Sequence, residues 1–388
     1  MRHSPACSRL TLTLIVTAAL LAFGVTTNAS EELNSPTAET TSETNGEHHP
    51  AELNMPSLNT RVEVFPPLLP LAEPTVVEPP SLPLAVPLVP PPMRVLNVML
   101  DWYLSPQHAA LIVAEAKGLY ALQGLDVHLH TPADPSLPIK LLSNGEVDLA
   151  LTRQPLLHLY AHEGVPIVRI GTLIETPLTA VIVADDRDTL PLDALYGLRY
   201  GFTTREGRDI VIPALVPEAL QQIDDYIAPE NVHFEAGQAL GEERLDAIAD
   251  ALYPILPEQL ANEGITNHVV TLSELGIPVH DGLIVLGNSD ATGRQTDTWA
   301  RFMIAIEEAS QWIVEHPQKA WELMVATHPV LDTPTNTQAW DDILRRMALA
   351  PAAVDTRRYQ RFEDYLVDAG IVDDALPLSR LAIDPHAR

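Results

Sequence analysis

The chain has 388 residues, 46% of them hydrophobic, which is enough to bury a large core in two or three domains or in one two-lobed unit with appendages. Acidic residues outnumber basic ones by 52 to 23, a formal net charge of −29. Such a surface repels nucleic-acid backbones and anionic lipids, so both are excluded as partners.

In chain order, residues 1–29 read as a secretory signal. Arg2 and Arg9 supply a positive start, Leu10 to Val25 an apolar run, and Thr27-Asn28-Ala29 a small-residue cleavage site. The run is shorter than the about 20 residues a bilayer span needs; an uncleaved membrane anchor is the alternative. The only cysteine, Cys7, lies in this segment, so the processed chain is expected to lack disulfides, thiolate nucleophiles and cysteine-ligated metals. Residues 30–93 hold 14 of the 35 prolines, nine Glu and a single basic residue, Arg61. Proline fixes φ and removes a backbone donor, so this stretch is expected to be a disordered tether, extended and semi-rigid, with a partner-docking segment as the alternative.

From Arg94 the pattern alternates strand and helix. Arg94–Leu100 reads as a buried strand. Ser105-Pro106 opens a helix that places Ala109, Ile112, Val113 and Ala116 on one face and ends at Gly118. A strand over 125–130, a helix from Asp134-Pro135 to Leu142, a strand over 147–151, a helix over 155–163 and a strand over 165–173 follow. Leu178–Ala184 begins a second run. It comprises a strand at 198–202, a helix over 206–221, strands at 232–236 and 245–251, a helix over 256–263 and a strand at 268–272. Asp281–Gly287 reads as a strand returning to the first sheet. The remainder reads as helical, with Trp299, Phe302, Met303, Ile306 and Ile313 in one apolar stripe and further helices over 317–327, 337–348 and 357–369.

Repeated βαβ units imply an α/β fold with mostly parallel sheets covered by helices. Two runs joined by crossovers near 180–185 and 278–285 imply two lobes: 94–182 with 283–388, and 183–282. Two hinge crossovers suit a clamp that closes on a ligand.

Ligands of open α/β sheets bind beyond the carboxyl ends of the strands. The strand exits offer Asp101 and Trp102, Asp134, Arg153 and Gln154, Thr203 and Glu206, and Tyr253, with His108 just inside the first helix. An aromatic face with amides, hydroxyls and carboxylates suits a flat, polar, nitrogen-containing ring. Structural roles compete: Trp102 as core, Asp101 as an acceptor for loop amides, Asp134 as an N-cap and Glu206 as a first-turn residue; Thr203–Gly207 offers an anion cradle at a helix start, without a dense glycine pattern. His158 and His162 have ligand spacing on a helix, but Glu163 turns about 100° away. They are expected to be surface histidines, as are His128 and His130. No metal set, catalytic nucleophile or cofactor-binding fingerprint is found.

The run Leu96-Asn97-Val98-Met99-Leu100-Asp101-Trp102, then His108-Ala109, Ala116-Lys117-Gly118, Gly124-Leu125-Asp126-Val127, Pro132-Ala133-Asp134-Pro135-Ser136 and Gly145-Glu146-Val147-Asp148-Leu149-Ala150 resembles the thiamine-pyrimidine family. The likeness extends through Gly164-Val165-Pro166-Ile167, Gly171, Gly276-Ile277-Pro278 and His316-Pro317, over roughly residues 94–370. The family includes periplasmic formylaminopyrimidine-binding proteins and fungal hydroxymethylpyrimidine phosphate synthases, with sulfonate- and nitrate-binding proteins as distant relatives. The resemblance implies a periplasmic-binding-protein-like fold and a monomeric, non-enzymatic binding component of an ABC importer. That component would capture a thiamine-precursor-like pyrimidine against Trp102 and present both lobes to an inner-membrane permease. The synthases' pyridoxal lysine and a following histidine correspond to Thr152 and Leu156 here, and their cysteine-rich segment has no counterpart. The transporters' Asn-Tyr-Glu reader is replaced by Tyr253-Pro254-Ile255-Leu256. A tethered sensor or partner protein is the first alternative, and a synthase-like enzyme the second.

Overall fold

The computed structural model describes residues 93–187, 189–216 and 227–387. The signal segment, the tether up to residue 92 and the end of the helix expected over 206–221 lie outside the described residues.

The first sheet holds β1 (Arg94–Met99), β2 (Leu125–His130), β3 (Leu149–Thr152), β4 (Ile167–Ile174) and β10 (Leu283–Asn288), in the order β2-β1-β3-β10-β4. The second holds β5 (Thr179–Ala184), β6 (Tyr200–Phe202), β7 (Glu230–Asn231), β8 (Ala247–Leu252) and β9 (Asn267–Thr271), in the order β7-β6-β8-β5-β9. β1 runs parallel to β2 and β3, while β10 is antiparallel to β3 and β4. In the second sheet β6 runs parallel to β7 and β8, and β5 is antiparallel to β8 and β9. Each sheet thus contains one reversed strand, and it is the one just arrived from the other lobe. A chain that enters a parallel sheet from its carboxyl edge can only run backwards through it. The fold is a two-lobed α/β periplasmic-binding-protein type.

The connectors between sheets are Glu175–Leu178 and Pro278–Gly282. The first lies ahead of the expected boundary at 182/183, because Thr179–Ala184 is wholly paired within the second sheet. The connectors touch. An added Cβ on Gly282 would lie 2.1 Å from the Thr176 carbonyl oxygen, and the Gly282 amide donates to Ile174 O at 2.9 Å.

Helices α1 (Ala109–Ala116), α2 (Leu119–Leu122), α3 (Leu137–Ser143) and α4 (Gln154–His162) cover the first sheet together with the long α8 (Thr292–Glu315). The predicted stripe Trp299, Phe302, Met303, Ile306 and Ile313 is buried in its core. Gly118 ends α1 at φ 70, a conformation that would strain a residue with a Cβ. In the second lobe α5 (Ile212–Leu215) follows a π-turn at Gly207–Val211, and α6 (Ala236–Gly241) and α7 (Leu256–Asn262) pack beside β8 and β9. The C-terminal part adds α9 (Pro317–Thr327), α10 (Pro334–Leu344), α11 (Thr356–Asp368) and α12 (Leu378–Leu381) to the first lobe. Arg169 on β4 anchors this part. Buried, it donates to the carbonyls of Pro351, Ala352 and Ala353 at 2.6–2.8 Å, and its own carbonyl accepts from Ile383 N.

The strand expected over 232–236 is a correction. Pairing stops at Asn231, the chain turns through Val232–Glu235, and α6 begins at Ala236. The alternation Val232/Phe234 mimics a strand, but His233 takes φ 49 and breaks the ladder.

Candidate functional site

The parallel strands of the two sheets end toward one another, and a cavity of about 430 Å³ opens between the lobes. Its volume lies in the range of small-molecule pockets. Trp102, Tyr103, Ser105 and Asn336 line it from the first lobe, and Thr203, Phe234, Gln238 and Gln259 from the second. The aromatic residues meet across it. Phe234 stands edge-on to Trp102, with centroids 4.5 Å apart, and lies tilted against Tyr103 at 4.4 Å.

Behind this cavity, buried charges join the lobes. Arg153, directly after β3, points its Nη1 at Glu206 Oε2 (3.1 Å) and Asp250 Oδ2 (3.7 Å), and all three side chains are at most 4% exposed. Glu206 also accepts from the Thr179 hydroxyl at 2.7 Å. Asp250, on β8, accepts from the amides and hydroxyls of both Thr203 and Thr204 at 2.7–3.0 Å, which pins the turn after β6. Burial pushes the Arg153 pKa down, but Glu206, Asp250 and Asp101 together hold it above the ordinary guanidinium value. Burial raises Asp250 above the usual carboxylate range, against the pull of Arg153.

Asp101 and His108 form a second buried unit. The Ser105 amide donates to His108 Nδ1 at 3.1 Å, so that nitrogen carries no proton. His108 Nε2 therefore donates to Asp101 Oδ1 at 2.9 Å, with Gln107 Nε2 donating to both carboxylate oxygens. Asp101 thus accepts from two side chains of the first helical turn, not from the loop amides weighed for it.

Of the predicted site residues, Trp102 and Thr203 line the 430 Å³ cavity. Asp101 and Arg153 line a smaller inner pocket, about 30 Å³, with Thr152, Leu156 and Tyr160. Among the described residues no lysine lines that pocket. Glu206 pairs with Arg153. Gln154 is fully buried beside the second connector, its Oε1 accepting from Asp281 N at 2.8 Å. Asp134 accepts from Ser136 N at 2.8 Å and meets His233 of the other lobe at 2.5 Å. Tyr253 turns away from the cavity, and its hydroxyl donates to Asp342 Oδ2 on α10 at 2.9 Å.

His158 is a further correction, being buried and not on the surface. Its carboxylate partner is Glu363 on α11, which meets His158 Nδ1 at 2.5 Å and His162 Nε2 at 3.0 Å. The orientation of Gln154 turns its amide nitrogen toward His158 Nε2 at 3.0 Å, so Nε2 accepts and the ring is neutral. Burial holds its pKa below the usual value.

Sequence reasoning missed Phe234, Gln238, Gln259, Asn336 and Asp250. Phe234 and Gln238 flank the start of α6, which the alternation of Val232 and Phe234 disguised as a strand. Asp250 was hidden inside a run of strand-like residues.

The profile of a family described as NMT1/THI5 like matches residues 105–320, more than half of the chain. A Haemophilus influenzae protein named for thiamine biosynthesis is 33% identical over 291 residues, covering 74% of this chain and 91% of that one. The formylaminopyrimidine-binding protein of Halalkalibacterium halodurans is 27% identical over 62% of this chain and 73% of its own length. A 4-amino-5-hydroxymethyl-2-methylpyrimidine phosphate synthase of Aspergillus parasiticus is 24% identical over 63% of this chain and 74% of the synthase. Among solved structures, the alkanesulfonate-binding protein of Xanthomonas axonopodis pv. citri superposes with a TM-score of 0.56 at 14% identity, covering 76% of this chain and 99% of that one. That likeness speaks for the fold, which the two reversed strands and the interlobe cavity already describe. The identity to the Haemophilus protein and the matched profile speak for kinship, and the chain belongs to the NMT1/THI5-like family.

Proposed function

We propose that the chain is the solute-binding component of an ABC import system and captures a small nitrogen heterocycle, a thiamine pyrimidine precursor, outside the cytoplasm. The observation that carries this reading is the interlobe cavity. Its aromatic rings Trp102, Tyr103 and Phe234 offer stacking faces and edges, and its amides Gln238, Gln259 and Asn336 offer both donors and acceptors. A flat ring with nitrogens on its edge uses both kinds of wall. An anion such as a sulfonate gains little from Arg153, a buried cation behind the cavity, because Glu206 and Asp250 already engage it. The relative named for formylaminopyrimidine binding supports the ring class. In this reading Trp102 and Thr203 contact the ligand, Asp101, His108, Arg153 and Glu206 fix the walls around it, and a monomer presents both lobes to a membrane permease. Among the described residues, the inner pocket offers the synthase reading no lysine amine for pyridoxal phosphate.

Titration calorimetry with a formylaminopyrimidine and, separately, an alkanesulfonate tests the assignment. Micromolar or tighter binding of the pyrimidine alone supports it. Binding of the sulfonate without the pyrimidine overturns it.

A further inference from the structure

We propose that His233 and Asp134 form a clasp between the lobes that positions Phe234 against the cavity and sets how fast a bound molecule leaves. The part concerning release rests on the cavity being the binding site; the part concerning closure does not.

The turn that carries Phe234 is built against preference. His233 takes φ 49, the left-handed region that glycine enters freely and that a Cβ disfavours. Such a residue persists where its surroundings hold it, and such residues concentrate at ligand clamps and switches. Here three contacts hold it. The His233 amide donates to Asn231 Oδ1 at 3.0 Å, the Glu235 amide donates to Val232 O at 2.7 Å, and the imidazole Nδ1 meets Asp134 Oδ2 of the opposite lobe at 2.5 Å. Asp134 is itself held, its other oxygen accepting from Ser136 N. Two contacts are local to the turn; the third spans the cleft.

The neighbour of the strained residue is the wall. Phe234 lies against Trp102 and Tyr103 of the first lobe and lines the cavity with them. The side chains of His233 and Asp134 are 51% and 29% exposed. Loss of their pairing therefore unburies little and leaves both cores intact. What it removes is the contact that ties the turn to the opposite lobe, next to the aromatic wall that Phe234 makes with Trp102 and Tyr103. A pair that contributes little to folding yet fixes a strained turn at the cavity wall has the character of a closure device.

The test uses the full chain with Cys7→Ser, Leu122→Cys and Tyr196→Cys, which place spin labels on exposed sites of the two lobes. Pulsed electron–electron distance measurement on the free protein is the first readout. Asp134→Asn and His233→Gly should each move the population toward longer distances, and the exchange Asp134→His with His233→Asp should restore it. The second readout is release of a formylaminopyrimidine by stopped-flow tryptophan fluorescence. Either single variant should release faster, by up to about fivefold, the upper worth of a contact this exposed, with association changed less than twofold. His233→Gly should in addition raise the unfolding midpoint, because glycine relieves the turn. A protein that is more stable yet lets go faster is not what a purely structural contact produces. An unchanged distance distribution in Asp134→Asn overturns the clasp, whether or not the pyrimidine binds. Longer distances with unchanged release overturn its control of the bound state. Failure of the parent protein to bind the pyrimidine instead sinks the ligand assignment and leaves the distance measurement to decide the clasp.

Discussion

Replacing Arg153 with methionine probes the charges buried between the lobes. The guanidinium faces Glu206 at 3.1 Å and Asp250 at 3.7 Å, with both carboxylates fully buried. Removing one partner of a buried pair costs about 3–5 kcal/mol, because the other charge stays in a low-dielectric site uncompensated. Here two carboxylates are left, so Arg153→Met belongs at the upper end, about 5 kcal/mol. Glu206→Gln is milder. The amide oxygen still accepts from Thr179, and Asp250 still faces Arg153, so the loss is that of one charged hydrogen bond, about 1.5–3 kcal/mol. In Arg153→Met, Asp250 is still raised by burial but loses the guanidinium that pulls it down, so its folded-state pKa should lie further above its unfolded value. The variant should therefore regain stability as pH falls toward that range and lose it as pH rises. Urea unfolding followed by tryptophan fluorescence at pH 5 and pH 8 measures both effects. A cost for Arg153→Met below that of Glu206→Gln, or a cost unchanged between the two pH values, would refute the reasoning.

Trp102→Ala should weaken pyrimidine binding by about 1–3 kcal/mol, the worth of an aromatic stack on a heterocycle, while Trp102→Phe keeps most of the affinity. Because Trp102 is only partly buried, the Ala variant should lose less than the about 3–5 kcal/mol of stability expected for a core aromatic; calorimetry and unfolding on the same variant separate the two roles. Burial holds His158 and His280 below the usual 6.5, so the unfolded chain binds more protons and stability should fall as pH drops below about 6.5. Asp250, raised by burial, acts in the opposite sense but is one group against two, and a flat unfolding free energy between pH 7.5 and 5 would contradict the assignment. Gly282→Ala should cost about 1–3 kcal/mol, since its Cβ meets the Thr176 carbonyl and the two connectors must part. An unchanged urea midpoint would mean that the connectors are not tightly apposed.

The local signals were readable because each is carried by a few adjacent residues. Ser105-Pro106 and Gly118 bracket the first helical region, the alternation at 125–130 is β2, and the Trp299–Ile313 stripe is the buried face of α8. The exit of β1 likewise placed Trp102 at the cavity. What escaped depends on partners far along the chain. His158 looked like a surface residue because Glu363 lies 205 positions away. Tyr253 looked free because Asp342 is 89 positions away. The first connector was displaced because Leu178–Ala184 has the same apolar pattern whichever sheet receives it, and hydropathy does not say which. Phe234 was concealed by alternation that fits a strand until the backbone of His233 is known.

β3 and β4 are neighbours along the chain but not in the sheet, because β10 lies between them and bonds to both. During synthesis, then, the first sheet waits as two separate pieces until Leu283–Asn288 emerges, whereas every strand of the second sheet is already out by Thr271. The lobe begun first is finished last, with Arg169 gaining its carbonyl partners only when residues 351–353 arrive. A nascent chain stopped short of Leu283 would carry a complete second sheet beside two open, apolar strand edges, the kind of surface that chaperones hold and that other chains pair with.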